Sequence, residues 1–439
     1  MRLLPMMLAL LFLHILQPRP AVMPRIQGRI TDLETGKPVA GMRVQLISWS
    51  YTADGVGQPD VLSFVESGEL GDYTIPIPSR RRFFVSTGSF RTDDKIFVPT
   101  FYPGAFDIAR ATPLNLMDGA DRAGIDIAVR SGKTVTIRGK FIDGLGHRYP
   151  HWDWVWLRPR YESPEVATMI PTLGGNIRLR YENAGTYEIR DVLPGSYHLM
   201  SFRFDEIQHR SVTMIPVEVT DKPLEVDIVS EASYPLNGRI RFEGPRFSIL
   251  DTRPAAAPIV QIIARSLAGA PMETPAATIY PTGMFSFLPL PEGAFRLSIL
   301  GVPAPFYVKS ARFGAAGPDV LENGMTFPGR GTESLEIRIA GNGGQVRGAV
   351  ADGAGSSVVL VPQGRPLLRP DLYKVAEADN NGRFTVGGIA PGAYRLYAWK
   401  SVAGRIYFDE EFMQTFGGRG VPVEVQAGGL TEVQLRLLQ

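Results

Sequence analysis

Residues Asp379–Trp399 read DNNGRFTVGGIAPGAYRLYAW, an apolar run set between two glycine-rich turns. Alone, the stretch suits a ligand loop as well as the corner of a β-sandwich. The rest of the chain decides between them, because the pattern recurs. Four segments open with a strand and a glycine: QGRITD at Gly28, IRGKFID at Gly139, LNGRIRF at Gly238 and VRGAVAD at Gly348. A hairpin signal follows each, at Gly71–Tyr73, Gly185–Tyr187, Gly283–Phe285 and Gly382–Phe384. In three copies a proline–glycine or proline–acid–glycine corner comes next, in DVLPGSYHL, PLPEGAFRL and GIAPGAYRL. The two aromatics of these copies are always ten residues apart: Tyr187 and Tyr197, Phe285 and Phe295, Phe384 and Tyr394. Each copy closes on an alternating strand: GIDIAV, LEVDIV, LEIRIA or EVQLRL. Alternation with period two marks strands buried on one face. Asn380-Asn381-Gly382 supplies hairpin chemistry, and Phe384, Val386, Tyr394 and Leu396 are expected to point into a core. A ligand loop has no reason to recur with a fixed spacing to core aromatics, so the stretch reads as scaffold.

The chain has 439 residues, room for several domains, with 44% hydrophobic and 21% charged residues, as in globular proteins. Its 47 glycines and 36 prolines are spread along the sequence, in keeping with many short strands and tight turns. A formal net charge of +2 is too small to imply nucleic acid. The absence of cysteine excludes disulfides, thiolate metal sites and cysteine nucleophiles. The predicted architecture is all-β: tandem seven-stranded prealbumin-like (Ig-like) sandwiches over residues 24–131, 132–231, 232–341 and 342–439. Short linkers suggest a semi-rigid rod of neighbouring sandwiches. AGNGGQVRG (Ala340–Gly348) lacks the lysine of a phosphate loop and reads as the last of these linkers.

The segments GRITDLETGKPVAGMRVQL (Gly28–Leu46) and FYPGAFDIARATPLNL (Phe101–Leu116), with the second half of the fourth copy, resemble the carboxypeptidase regulatory-like domain of bacterial proteins. That module is a transthyretin-like sandwich. The middle copies match only at the hairpin, the corner and the closing strand, and the first departs at its corner, where Ser79-Arg80-Arg81-Arg82 stands. The resemblance implies a fold and a likeness to carbohydrate-binding modules, but no chemistry.

Residues 1–23 hold Arg2, an apolar run from Leu3 to Leu16, and Gln17-Pro18-Arg19-Pro20. They read as a signal peptide or an uncleaved signal anchor, which places the chain in the periplasm, on the cell surface or outside the cell. Any membrane contact would run through this segment alone. No catalytic motif appears. The histidines His14, His147, His151, His198 and His209 form no zinc-peptidase pattern, so neither metal nor cofactor is expected. His198 alternates with core positions and is expected to face solvent. Arg80-Arg81-Arg82 reads as a solvated hairpin tip, with an acidic envelope polymer as the alternative. Asp409-Glu410-Glu411 carries paired carboxylates, but adjacency gives no catalytic geometry.

The strongest binding candidate is HWDWVWLRPR (His151–Arg160). Val155 and Leu157 align with core positions of the other copies, which puts Trp152, Trp154 and Trp156 on the opposite face at about 7 Å spacing. An outward indole row suits stacking on sugar rings, docking of a protein, or packing against neighbouring parts of this chain. The sequence thus suggests an exported, non-catalytic binding or scaffold protein of the bacterial envelope, with polysaccharide or an envelope protein as partner. Trp399, at the end of YRLYAW, is expected to be core.

Overall fold

A computed structural model describes residues 23–438 apart from 79–80, 89, 93–95, 107, 144–151, 160–176, 181–184, 205–209, 231–232, 248–259, 268–275, 315–316 and 365–368. The expected export segment, Arg80 and the histidines other than His198 lie outside the described residues. The chain folds as tandem all-β sandwiches, each with two facing sheets. In the fourth, one sheet runs Arg383–Ile389, Gly344–Ala351, Leu430–Arg436, and the other runs Lys374–Glu377, Ser357–Pro362, Gly392–Trp399, Val421–Val425. The first repeats this plan. Arg25–Asp32 lies between Asp72–Pro76 and Ile127–Val129, over a sheet of Gly57–Glu66, Arg43–Tyr51, Arg82–Thr87 and Leu114–Asn115. In every copy the opening strand pairs antiparallel with the hairpin strand and parallel with the closing strand.

The period-two pattern is realised as packing. Phe384, Val386, Tyr394 and Leu396 join Val346, Val358 and Leu360 in one core. Equivalent cores form around Tyr73 and Phe83, around Tyr187 and Tyr197, and around Phe285 and Phe295. The hairpin glycines Gly71, Gly185, Gly283 and Gly382 all take positive φ, between 55° and 84°, the region a side chain disfavours. Each offers its carbonyl to the opening strand, accepting from Ile30, Phe141, Ile240 or Val350 N–H at 2.6–2.8 Å. Asp379 serves the same turn: its Oδ1 accepts from Asn381 and Arg383 N–H, both at 2.8 Å. At the corner the Tyr394 hydroxyl donates to Ala390 O at 2.8 Å, and Tyr197 donates to Leu193 O at 2.9 Å.

The opening glycines have a separate reason. A Cβ on Gly28 would lie 2.0 Å from Ile125 O, and on Gly139 1.7 Å from Val226 O. On Gly238 it would meet Leu335 O at 2.4 Å, and on Gly348 Val433 O at 2.0 Å. The hairpin aromatic also lies against this gap in the first three copies, within 2.2–2.9 Å of where the Cβ would be. Two versions of the joint follow. In the third and fourth copies the aromatic is Phe, and the parallel ladder runs unbroken through Gly238↔Leu335 and Gly348↔Val433. In the first two it is Tyr. Tyr73 OH donates to Ile125 O at 2.6 Å, and Tyr187 OH to Val226 O at 2.5 Å. Those carbonyls are the acceptors that a regular ladder would offer to Arg29 and Lys140 N–H. The two amides turn instead to Asp126 Oδ1 at 2.8 Å and Asp227 Oδ1 at 2.9 Å.

The sandwiches do not extend as a rod. Tyr51 of the first bonds to Asp409 of the fourth, and Asp54 of the first to Arg265 of the third. A linker fixes spacing but not direction, and buried contacts between the sandwiches fold the chain back. The connector after Ala340 is itself packed: Gly343 N–H donates to Pro305 O at 2.9 Å, and Gly344 already belongs to a strand.

Replacing Tyr73 by Phe leaves Ile125 O and its surroundings arranged for a donor that is gone, an expected loss of about 1–3 kcal/mol in the first sandwich. Amide exchange in Ile127–Val129 measures it, and exchange as slow as in the native chain would overturn the assignment. Gly28→Ala sets a methyl against a backbone carbonyl and is expected to cost at least as much.

Candidate interaction sites: the tryptophan strand and a three-sandwich junction

Among the described residues, Trp152–Pro159 is an edge strand of a three-stranded sheet and pairs only with Gly195–Phe204. Its register sets Trp152, Trp154 and Trp156 opposite Phe204, Phe202 and Met200. Val155 and Leu157 are buried in the second core, as their alignment with other copies predicts. The three tryptophan side chains lie outside the described residues.

What happens to this sheet face elsewhere is well described. In the fourth sandwich Val359, Tyr397 and Trp399 leave the main core and form a second one with Tyr373, Tyr407, Phe408 and Phe416. Trp399 is therefore buried, but on the outer face, stacked on Tyr397 with centroids 5.3 Å apart. In the first, Ile47 and Phe84 pack under Ile108. His198, on the outer face of the second, is 6% exposed, contrary to the expectation that it faces solvent. It sits on the central strand, flanked by paired neighbours on both sides.

In the third sandwich the outer face receives a loop. The turn Thr52–Val56 is tied by Thr52 N–H to Val56 O at 3.0 Å and Val56 N–H to Thr52 Oγ1 at 3.0 Å, with Gly55 at φ 75°. This turn drives Asp54 to 1% exposure against Arg265 and Arg296, two outward residues of adjacent strands. Arg265 Nη2 donates to Asp54 Oδ1 at 3.0 Å and its Nε to Oδ2, while Arg296 Nη2 donates to the Asp54 carbonyl. Burial alone would raise the Asp54 carboxyl. Hydrogen bonds from Arg265 and Thr52, with the Arg265 and Arg296 charges, outweigh it and hold the group below the ordinary carboxylate range. Burial pulls the Arg296 guanidinium down, with the Asp54 charge opposing.

The fourth sandwich closes the junction. Asp409 Oδ1 caps the helix Glu410–Gln414 by accepting from Phe412 N–H at 2.8 Å, and its Oδ2 accepts from Tyr51 OH at 2.7 Å. Burial, then the bond to Asp409, pushes the Tyr51 phenol far above its ordinary range. Glu411 pairs with Arg82, and Arg81 is partly buried, its guanidinium pulled down by burial. These two arginines face a neighbouring sandwich, which replaces the solvated-tip reading. The carboxylates Asp54, Asp371, Asp409 and Glu411 are all engaged by arginines, hydroxyls or backbone amides. Among the described residues no group of three or more His, Asp or Glu could hold a metal. Also among them, no helix is long and apolar enough to cross a membrane.

No protein-family model and no curated protein matches this sequence. Solved structures similar to it include the Bacillus anthracis TIE protein, at 10% identity over 91% of this chain and 69% of that one, with a TM-score of 0.17. A streptococcal ancillary pilin is 12% identical over 69% of this chain and 99% of its own, with a TM-score of 0.20. Two B repeat units of the collagen binding protein of Staphylococcus aureus are 11% identical over 87% and 94%, with a TM-score of 0.17. None of these likenesses reaches the level at which one chain's role can be read onto another.

Asp54→Asn leaves the buried Arg265 guanidinium, with the half-buried Arg296 beside it, facing a neutral amide, an expected cost of about 3–5 kcal/mol to the junction. The carboxyl is depressed, so its contribution is complete at neutral pH and is lost as pH falls through the lowered value, below about pH 4. Amide exchange across Thr52–Val56 reads both effects: fast at neutral pH in the variant, accelerating only in acid in the native chain. Protection that survives the substitution would remove Asp54 from its role.

Proposed function

We propose that the chain is an exported, non-catalytic binding and scaffold protein of the bacterial cell envelope. The observation that carries this reading is the use of its charged and aromatic side chains. The most buried of them, Asp54 with Arg265, hold the first sandwich against the third, and the Trp399–Phe416 cluster covers the outer face of the fourth with Tyr51 of the first packed against it. The carboxylates of the junction, Asp54, Asp371, Asp409 and Glu411, are each taken up in a structural contact. A carboxypeptidase regulatory-like origin, the boundaries at 131/132, 231/232 and 341/342, and a leader in residues 1–23 belong to the same proposal.

The binding face is the edge strand Trp152–Pro159, with Trp152, Trp154 and Trp156 as ligand contacts. The favoured ligand is a polysaccharide, bound by ring stacking on the indoles. A specific observation supports a second reading, an accessory subunit docking another envelope protein. The corresponding sheet faces of the first, third and fourth sandwiches are covered by protein, through Ile108, through the Thr52–Val56 turn and through Tyr407–Phe416.

Titration of the full chain with envelope and plant polysaccharides, followed by tryptophan fluorescence, separates the readings. Saturable quenching that Trp154→Ala/Trp156→Ala abolishes without lowering thermal stability supports the glycan site. No response to any glycan, with a destabilised double variant, overturns it and leaves the indoles as packing.

A further inference from the structure

Beyond the tryptophan strand, the junction encloses a cleft of about 210 Å³ that draws its walls from three sandwiches. The first contributes Ala53, the third Ile299, Val302 and Val308, and the fourth Tyr373, Phe408, Asp371 and Lys374. Tyr373 and Phe408 pack with centroids 4.6 Å apart and give the lining an aromatic patch, and Ile299, Val302 and Val308 give it an aliphatic one. An apolar cavity of about 150 Å³ is already large enough for benzene. This cleft is larger, opens partly to solvent, and is lined by polar as well as apolar surface.

An acidic and a basic group line the cleft, Asp371 and Lys374, and they differ in their partners. Asp371 is held by Arg369 through a two-point contact, Nε to Oδ1 at 2.9 Å and Nη2 to Oδ2 at 2.8 Å, with both side chains about nine-tenths buried. That pair is neutral as a unit. Lys374 begins the edge strand Lys374–Glu377 and is partly buried. Its ammonium makes no hydrogen bond or ion pair with any described residue. Burial pulls it below the ordinary lysine range, with Asp371 opposing. A half-buried ammonium with no acceptor among the described residues is costly, and an anion beside it would relieve the cost.

We propose that this cleft binds a small carboxylate with an apolar body, of about the size of benzoate, its carboxylate on Lys374 and its body between Tyr373–Phe408 and Ile299–Val302–Val308. A bare inorganic anion would satisfy the lysine and leave the apolar walls unfilled. An uncharged hydrocarbon would do the reverse. Because the walls come from three sandwiches, the bound molecule also ties them together and stabilises the closed junction by mass action.

The test uses the full chain with benzoate as probe, toluene and inorganic phosphate as comparison ligands, and ligand-observed NMR with thermal unfolding as readouts. Benzoate is expected to bind saturably and to raise the midpoint of the junction transition. Lys374→Met is expected to weaken benzoate by about tenfold or more, the loss of one charge-assisted contact, while leaving toluene binding unchanged. Val302→Trp fills the cleft from its aliphatic patch and is expected to abolish binding of both. If Lys374→Met does not fold, Val302→Trp alone decides. Benzoate that fails to saturate, that binds either variant as it binds the native chain, or that phosphate displaces as readily as another aromatic acid does, overturns the proposal.

Discussion

The four sandwiches depend on one close approach: the carbonyl of the closing strand sits where a Cβ of the opening strand would be. At Gly28, Gly139, Gly238 and Gly348 that distance is 2.4 Å or less, so any other residue would push the two parallel strands apart. The missing side chain is what lets the hairpin aromatic lie across the strand pair and seal the core from one end. The alternation of the closing strand accompanies that approach in all four copies, and the ten-residue aromatic spacing and the corner in the last three. The Tyr–Asp version and the Phe version are two solutions to the same problem of satisfying one carbonyl and one amide. Tyr supplies a donor to the carbonyl and Asp an acceptor to the amide. Phe supplies neither, and the backbone completes the ladder by itself.

This architecture was readable in the sequence because it is written in short-range terms: glycines at hairpins, aromatics ten residues apart, alternation over five or six positions. The joint was readable too, in retrospect. Tyr73 goes with Asp126 and Tyr187 with Asp227, whereas Phe285 goes with Glu336 and Phe384 with Gln434. Comparing hairpin and closing strand together, instead of one after the other, reveals that pairing.

The junction was not readable in the same way. Asp54 sits in TADGV, which reads as an ordinary turn, and its partners Arg265 and Arg296 are more than 200 residues away on strands where an outward arginine is normal. Nothing local distinguishes an arginine that meets solvent from one that meets another sandwich. The same limit explains His198, whose alternation gives its face correctly but not what covers that face. For the tryptophans, alternation places Val155 and Leu157 in the core and leaves the occupant of the other face to experiment.

The return of the fourth sandwich onto the first also has a mechanical meaning. Tension applied between Arg25 and Leu438 would load the contacts of Tyr51 with Asp409 and of Arg82 with Glu411 before it stretched the second sandwich, which lies inside the loop that those contacts close. The second sandwich is thus shielded from force until the junction opens. Opening would then release a reserve of chain length in turn, first at the Tyr51–Asp409 and Arg82–Glu411 contacts and then at the buried Asp54–Arg265 pair, which closes the shorter loop around the second sandwich.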